Sequence, residues 1–283
     1  MVGKLAGGLA ALAVVGVAAF VLAGRGAPAR TLSLKGSDTM VILAQRWAEA
    51  FMEGRPEAVR VQVTGGGSGV GIAALINGTA DVAKASRPLK EAERRLLVKS
   101  YGLDPVETPV ARDGVAFYVN AANPVRALTV GELRRIYTGE LRSWREVGGL
   151  DEPILIYSRE NSSGTYAYVK EAVLGKADFA PTAQPLPGTA AVVNAVAQSR
   201  NAIGYGGAAY LAGVKELEVA AGPGQPASLP TKANVVAGTY PLSRDLFLVT
   251  RGPPAGDARV FIDFVLSPEG QALVEQVGYF PLR

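Results

Sequence analysis

Residues 59–78 read VRVQVTGGGSGVGIAALING, and this stretch decides the class of fold. Residues 59–63 alternate between apolar and polar side chains, as strands do, and apolar residues then recur at helical spacing up to Gly78. The glycine run 65–69 separates the two elements. A strand, a glycine-rich turn and a helix in this order form the repeating unit of an α/β protein.

Two further clusters of the same composition precede helix-like stretches, so that three are present: Gly36-Ser37-Asp38-Thr39, Gly65-Gly66-Gly67-Ser68-Gly69 and Ser162-Ser163-Gly164-Thr165. The start of a helix exposes unpaired N–H groups and partial positive charge, and therefore attracts anions. Arg159 stands four residues before Ser163, and a guanidinium binds oxyanions through two hydrogen bonds. We expect one pocket for a small oxyanion; each cluster taken alone also fits an ordinary helix cap.

The chain of 283 residues is 48% hydrophobic, enough for one or two packed cores. Strand–helix units run to a break near residues 115–120, which are predicted to form an apolar strand. The units continue beyond it and return to a last strand at 246–250, followed by two helices. Each half of the chain has a length typical of a single domain. This order predicts a two-domain α/β protein with a ligand cleft between the domains.

Composition excludes several functions. The net charge of +4 is weak and dispersed, so we expect no nucleic-acid partner. The chain has no cysteine and no histidine, which removes thiolate zinc sites and Ser-His-Asp chemistry. We expect no metal, no cofactor and no enzymatic activity; a phosphoesterase or phosphotransferase with a serine nucleophile is the alternative.

The first thirty residues resemble a targeting segment. Lys4 is followed by an uncharged apolar run over residues 5–24 and by the small-residue pattern Ala27-Pro28-Ala29. The run is also close to the length that spans a bilayer. We expect export from the cytoplasm, with residues 1–30 either a cleaved signal peptide or a retained membrane anchor. The anchored alternative would suit a sensor or scaffold.

The glycine run also matches a different motif. Residues 69–74 fit G-x-G-x-x-A, the pattern of dinucleotide-binding turns, and a strand and a helix flank them as that motif requires. The next strand, however, ends at Ser86-Arg87 without the acidic residue that holds a ribose. We therefore do not expect a nicotinamide cofactor.

The ordered series of motifs resembles one known family, the phosphate-binding proteins of ABC importers, which have the periplasmic type II solute-binding fold. Besides the three clusters, the resemblance rests on residues 80–89 (ADVAKASRPL), 113–116 (DGVA), Trp144, 158–165 (SRENSSGT), 202–205 (AIGY), 240–244 (YPLSR) and Gly278-Tyr279. It extends over about residues 31–283. The order of the motifs makes it specific.

The resemblance implies two domains joined by two crossover strands: domain 1 over residues 31–114 and 241–283, and domain 2 over residues 115–240. It implies a monomeric receptor in the periplasm or another extracytoplasmic space that captures inorganic phosphate and delivers it to a membrane permease. Arg159 would be the main countercharge. The proposed ligand-binding residues are Ser37, Asp38, Thr39, Ser68, Ser86, Arg87, Arg159, Ser163, Gly164 and Thr165. Thr189 is expected to lie outside the pocket.

One position departs from the family pattern. Many phosphate-binding proteins carry an aspartate after the serine of the Ala-Ser motif, where a carboxylate accepts the proton of hydrogen phosphate and repels sulfate. This chain has Arg87 there, which would favour any divalent tetrahedral anion. Asp38 or Asp113 could supply the acceptor instead. Sulfate, molybdate and tungstate therefore remain alternative ligands.

Overall fold

A computed structural model describes residues 30–53 and 59–282. The strands are β1 (Arg30–Gly36), β2 (Val59–Gly66), β3 (Val82–Ala85), β4 (Val106–Asn120), β5 (Ala127–Thr129), β6 (Leu155–Arg159), β7 (Gln184–Leu186), β8 (Ala202–Gly207), β9 (Val214–Glu216), β10 (Glu218–Ala220) and β11 (Ser243–Thr250). The helices are α1 (Val41–Glu53), α2 (Ser68–Ile76), α3 (Glu91–Tyr101), α4 (Val130–Tyr137), α5 (Gly164–Ala172), α6 (Gly188–Gln198), α7 (Lys232–Val236), α8 (Gly256–Leu266) and α9 (Pro268–Val277). Short 3₁₀ helices cover Asp38–Met40 and Trp144–Val147.

One hydrogen-bonded sheet runs through the molecule in the order β2-β1-β3-β11-β4-β8-β6-β7, and β9 pairs with β4. Strands β2, β1 and β3 are parallel, as are β8, β6 and β7, whereas β11 and β4 are antiparallel to their neighbours. In each group of three parallel strands, the loops that follow the strands lie together at the carboxyl edge, where open α/β sheets bind ligands. The sheet therefore has two such edges, one on each side of β11 and β4.

Strand β4 connects the two halves of the sheet. Its first part, Val106 to Gly114, pairs with β11, and its second part, from Val115, pairs with β8. We call the half around β1–β3 and β11 lobe 1, and the half around β6–β8 lobe 2. The predicted domain ranges (31–114 with 241–283, and 115–240) stay a prediction, and the change of partner after Gly114 supports the first boundary.

Each lobe has its own core. In lobe 1, α1, α8 and α9 pack on the sheet around residues such as Leu34, Trp47 and Phe261. In lobe 2, α4 and α5 pack around Phe117, Tyr137 and Trp144. Two well-packed cores allow each lobe to act as a rigid support for its own loops.

Most predicted elements are present within a few residues of the expected positions. The main difference is β4, which begins at Val106, whereas the sequence pattern predicted a strand only from residue 115. Pro109 interrupts the strand pattern in the first part of β4. It pairs with Phe247 of β11, next to a register shift between Leu246 and Phe247. Proline occurs within sheets at such irregular positions.

The predicted signal peptide or anchor, with its apolar run 5–24, lies outside the described residues apart from Arg30. Across residues 30–53 and 59–282, no helix combines the length and the apolar character needed to cross a bilayer.

Candidate oxyanion-binding site

The three sequence clusters meet at one place between the lobes. Ser37 and Thr39 follow β1, and Ser68 begins α2 after β2. Ser86 follows β3, and Thr165 lies in the first turn of α5 after β6. Because β2, β1 and β3 are parallel neighbours, their carboxyl ends deliver the four side chains of lobe 1 to the same edge.

Five hydroxyls form a buried group, which we call the hydroxyl cluster (Ser37, Thr39, Ser68, Ser86 and Thr165). Ser37 Oγ donates to Ser86 Oγ at 3.0 Å, and Ser86 Oγ lies 3.3 Å from Ser68 Oγ. The backbone N–H of Ser86 donates to Ser68 Oγ at 3.1 Å. A hydroxyl proton rotates to suit its acceptor, so these groups can turn towards an anion.

Contacts across the cleft join the two lobes at the hydroxyl cluster. Thr39 Oγ1 and Thr165 Oγ1 lie 2.9 Å apart, and Gly69 N–H donates to the carbonyl of Ser162 at 2.9 Å. Gly164 lies directly against the serines: a methyl group added to its Cα would be 2.3 Å from Ser68 Oγ. Helix α5 therefore begins in contact with lobe 1.

Arg159, at the end of β6, points into this site. Its side chain is buried, with Nη2 donating to Asp38 Oδ2 at 2.9 Å and Nη1 donating to Thr189 Oγ1 at 2.8 Å. Its Nε has no hydrogen-bond partner among the described residues. Burial lowers the pKa of the guanidinium, and the carboxylate of Asp38 acts in the opposite direction. The group stays charged, since arginine keeps its proton in proteins.

Asp38 connects the arginine to the glycine turn. Its Oδ1 accepts a hydrogen bond from Gly66 N–H at 2.8 Å. A side chain on Gly65 would collide with this carboxylate, because its Cβ would lie 2.3 Å from Asp38 Oδ1. Gly66 and Gly67 also have φ angles of +107° and +91°, in the left-handed region that glycine tolerates. The glycines therefore let the carboxylate and the turn approach closely.

A second arginine, Arg244 from β11, lies behind the cluster. Its Nε and Nη2 donate to Asp113 Oδ2 at 3.1 and 2.8 Å. Nη1 reaches the carbonyl of Ser86, and Nη2 also reaches Thr165 Oγ1 at 2.9 Å. Burial raises the pKa of the Asp113 carboxyl, and Arg244 acts against this rise. Arg244 thus connects both lobes to the site.

Comparison with known proteins identifies the family. A family model described as a PBP superfamily domain matches residues 23–269. The phosphate-binding protein PstS of Pseudomonas aeruginosa is 36% identical over 268 residues, covering 89% of this chain and 83% of that protein. The chain belongs to the family of phosphate-binding proteins.

Solved structures of this family agree with the fold. A putative phosphate ABC transporter substrate-binding protein from Clostridium perfringens, with bound phosphate, is 31% identical with a TM-score of 0.82, covering 90% of this chain and all of that one. An ABC-type phosphate transport receptor from Vibrio cholerae is 30% identical with a TM-score of 0.71, covering 88% and 99%. The predicted type II solute-binding fold is confirmed.

The structure connects two residues to the site that the sequence analysis did not include in it, Thr189 and Arg244. Thr189 was placed outside the pocket, which is wrong, because its hydroxyl accepts a hydrogen bond from Arg159. Arg244 was not among the predicted site residues, although it ends the motif 240–244 that carries the resemblance. Its position in that motif was the signal that could have found it.

Ser163 was predicted as a ligand-binding residue, and the structure places it beside the cluster as a helix cap. Its Oγ accepts from the N–H groups of Thr165 and Tyr166 at 3.2 and 3.3 Å. This use of the lone pairs leaves the hydroxyl proton as the donor.

Arg87 was predicted as a site residue, but its guanidinium points away from the hydroxyl cluster and pairs with Glu93. Its guanidinium forms two hydrogen bonds with Glu93, of 2.8 and 2.7 Å, and a third with the carbonyl of Pro88. Glu93 also accepts from Lys90 N–H at the start of α3. The negative charge that caps α3 therefore holds Arg87 and keeps its head group from the hydroxyl cluster.

We expect Arg87→Met to leave anion affinity within about twofold, while lowering the free energy of unfolding by ~1–2 kcal/mol through loss of the pair with Glu93. Titration calorimetry and denaturant unfolding measure the two quantities. A loss of affinity above about tenfold, with the fold intact, would return Arg87 to the site.

Proposed function

We propose that this protein is an exported, non-catalytic receptor that captures inorganic phosphate between its lobes and delivers it to the membrane permease of an ABC importer. Membership of the family of phosphate-binding proteins and the similarity to a substrate-binding protein with bound phosphate support this proposal. We further propose a monomer in the periplasm or another extracytoplasmic space, with residues 1–30 removed or kept as an anchor.

The observation that carries the proposal is the convergence of donors from both lobes on one buried point. Lobe 1 brings the hydroxyls of Ser37, Ser68 and Ser86, and lobe 2 brings the start of α5 with Arg159. Such donors match a tetrahedral oxyanion, which accepts hydrogen bonds on all sides. Closure around the ion would exclude water and strengthen each charge-assisted bond.

Asp38 is the better candidate for the acceptor that discriminates phosphate from sulfate. Each oxygen of Asp38 has one donor, Gly66 N–H or Arg159, and a carboxylate oxygen accepts two hydrogen bonds. Asp113 is fully buried and already accepts three hydrogen bonds, two from Arg244 on Oδ2 and one from Ala208 N–H on Oδ1. Hydrogen phosphate could donate its proton to Asp38, whereas sulfate would meet a second negative charge without a proton to offer.

Titration calorimetry with phosphate, sulfate, molybdate and tungstate tests the proposal. We expect phosphate to bind at least ~100-fold more tightly than sulfate, which corresponds to roughly 2.7 kcal/mol. Equal affinities would leave an oxyanion receptor without phosphate specificity, the alternative reading of the site. Absence of binding by all four anions would overturn the proposal.

A serine-dependent phosphoesterase receives less support than a receptor. The chain contains no histidine to act as general base. The lone pairs of Ser163 Oγ, which a nucleophile would need, already accept N–H groups of its own helix. N-terminal sequencing of the mature protein separates a cleaved receptor from an anchored sensor, which would retain residues 1–30.

A further inference from the structure

Lys84, on β3, is a buried cation that the proposed function leaves without a role. Lys84 has no solvent-exposed surface (0%), and its Nζ has no hydrogen-bond partner among the described residues. Burial of an ammonium without a partner is costly, because the group loses its hydration. Perturbed buried charges of this kind cluster at functional sites.

The register of β3 places Lys84 beneath the site. Side chains alternate along a strand, and Val82 packs in the lobe 1 core with Leu34 and Met40, so Lys84 faces the same side. Its carbonyl accepts the N–H of Ser37 at 2.8 Å. Lys84 therefore supports, from below, the turn that carries Ser37 and Asp38.

The charges at the site give Lys84 a specific importance. Arg159 is paired with Asp38, and Arg244 is paired with Asp113, so these two positive and two negative charges cancel. An anion placed among these neutralised pairs is held by hydrogen bonds and local dipoles, with little net Coulomb attraction from the charges. The electrostatic partner of the Lys84 ammonium is Asp38. With Lys84 included, the site has three positive and two negative charges, so one positive charge is uncompensated.

We propose that Lys84 supplies the net positive charge of the anion site, acting through Asp38, whose negative charge it offsets. Lys84 is a positioning residue, since its contact with the anion is indirect. This inference rests on the proposed anion-binding function and adds a residue on which affinity depends.

The ionisation of Lys84 supplies a measurable signature. Burial lowers the pKa of its ammonium from 10.5 to about 8, and Asp38 opposes this change. A bound anion favours the charged form, so binding raises that pKa. Between the free and bound pKa values, binding takes up a proton, and affinity falls as the pH rises above about 8.

The other groups around Lys84 do not imitate this signature. Its direct partners in the neighbouring strands, Gly36 in β1 and Leu248 in β11, carry no charge. From the elements above it, Asp38 is the charged group, and Tyr210 and Tyr279 donate to the carbonyls of Asp38 and Thr39. Burial raises the pKa of both tyrosines, that of Tyr210 to about 12, so neither titrates between pH 7 and 9.5.

The central experiment compares wild type with Lys84→Met, an uncharged side chain of similar length. At pH 7 we expect the variant to bind phosphate about 10- to 30-fold more weakly, with the difference shrinking towards pH 9.5 as wild-type Lys84 loses its proton. The titration of phosphate itself cancels in the ratio of the two dissociation constants. Lys35→Met, which removes a lysine from the neighbouring strand β1, is the control and should bind like wild type.

Proton uptake gives an independent measurement. Binding heats of wild type at pH 8.5, taken in two buffers of different ionisation enthalpy, should reveal uptake beyond that of Lys84→Met. If the variant does not fold, uptake by wild type beyond the share expected of phosphate alone decides the question, and its absence overturns the inference. Equal affinities or equal proton counts for wild type and variant overturn the inference but leave the receptor. Absence of anion binding by wild type overturns both.

The absence of cysteine from the chain permits a rescue experiment. Lys84→Cys, alkylated in denaturant with 2-bromoethylamine and refolded, carries an ammonium on a side chain close to lysine in length. Alkylation with 1-iodopropane gives a neutral analogue of similar size. We expect the ammonium form alone to recover phosphate affinity. Equal recovery by both forms would assign Lys84 a packing role and contradict the inference.

Discussion

Arg159→Met should abolish high-affinity phosphate binding, with a loss of about 100- to 1000-fold, or ~3–4 kcal/mol. The change removes the guanidinium that donates to Asp38 and Thr189 and whose Nε has no partner among the described residues. It also leaves the Asp38 carboxylate, then held by Gly66 N–H, facing the anion with its charge less compensated. Titration calorimetry measures the effect.

Arg145→Met is the matched control for this experiment. Arg145 belongs to the same lobe, but its side chain is exposed and pairs with the exposed Asp151. Exposed pairs contribute little to stability or binding, so this variant should bind phosphate like wild type. If a folded Arg159→Met retained affinity within tenfold, the assignment of Arg159 as countercharge would be wrong.

Gly164→Ala should weaken phosphate binding by about 100-fold, because it prevents the lobes from closing fully. The added methyl group would lie 2.3 Å from Ser68 Oγ and 2.5 Å from Ser86 Oγ, closer than real Cβ contacts come. Those hydroxyls are held by their own hydrogen bonds, so the lobes must separate to relieve the collision. A loss of closure that costs ~2–3 kcal/mol gives an effect of this size.

The control for this variant is Gly131→Ala, near the start of α4 in the same lobe. There the nearest atom to an added methyl group is Thr129 Oγ1 at 3.8 Å, an ordinary contact. Small-angle scattering with saturating phosphate should find a larger radius of gyration for Gly164→Ala than for the control. Wild-type affinity in Gly164→Ala would mean that phosphate is held somewhere other than between α5 and the serines.

The sequence indicated the fold and much of the site because both depend on local order along the chain. A cluster of glycine and hydroxyl residues between a strand and a helix lies at the carboxyl end of that strand in any parallel sheet. For this reason Ser37, Ser68 and Thr165 could be predicted to meet. The short strands β5, β7, β9 and β10 could not be found, since three residues show no periodicity.

The partners of the charged side chains could not be predicted, because they depend on elements distant in sequence. Arg87 was expected at the site and instead pairs with Glu93, which helix α3 brings back to it. Arg244 meets Asp113, 131 residues away, only because β11 pairs with β4. Lys84 looked like one residue of a short strand, and its burial beneath Asp38 became evident only from the packing of the turn above it.

The continuity of β4 limits the ways in which the cleft can open. Because β4 belongs to both lobes, the lobes cannot slide past each other along it. They separate by bending or twisting of β4 after Gly114, where its pairing changes from β11 to β8. A rotation about this point moves the far loops apart while the backbone near the axis hardly shifts. The lobes therefore return to the same alignment each time the cleft closes, and the donors of both lobes are already in position when an ion binds.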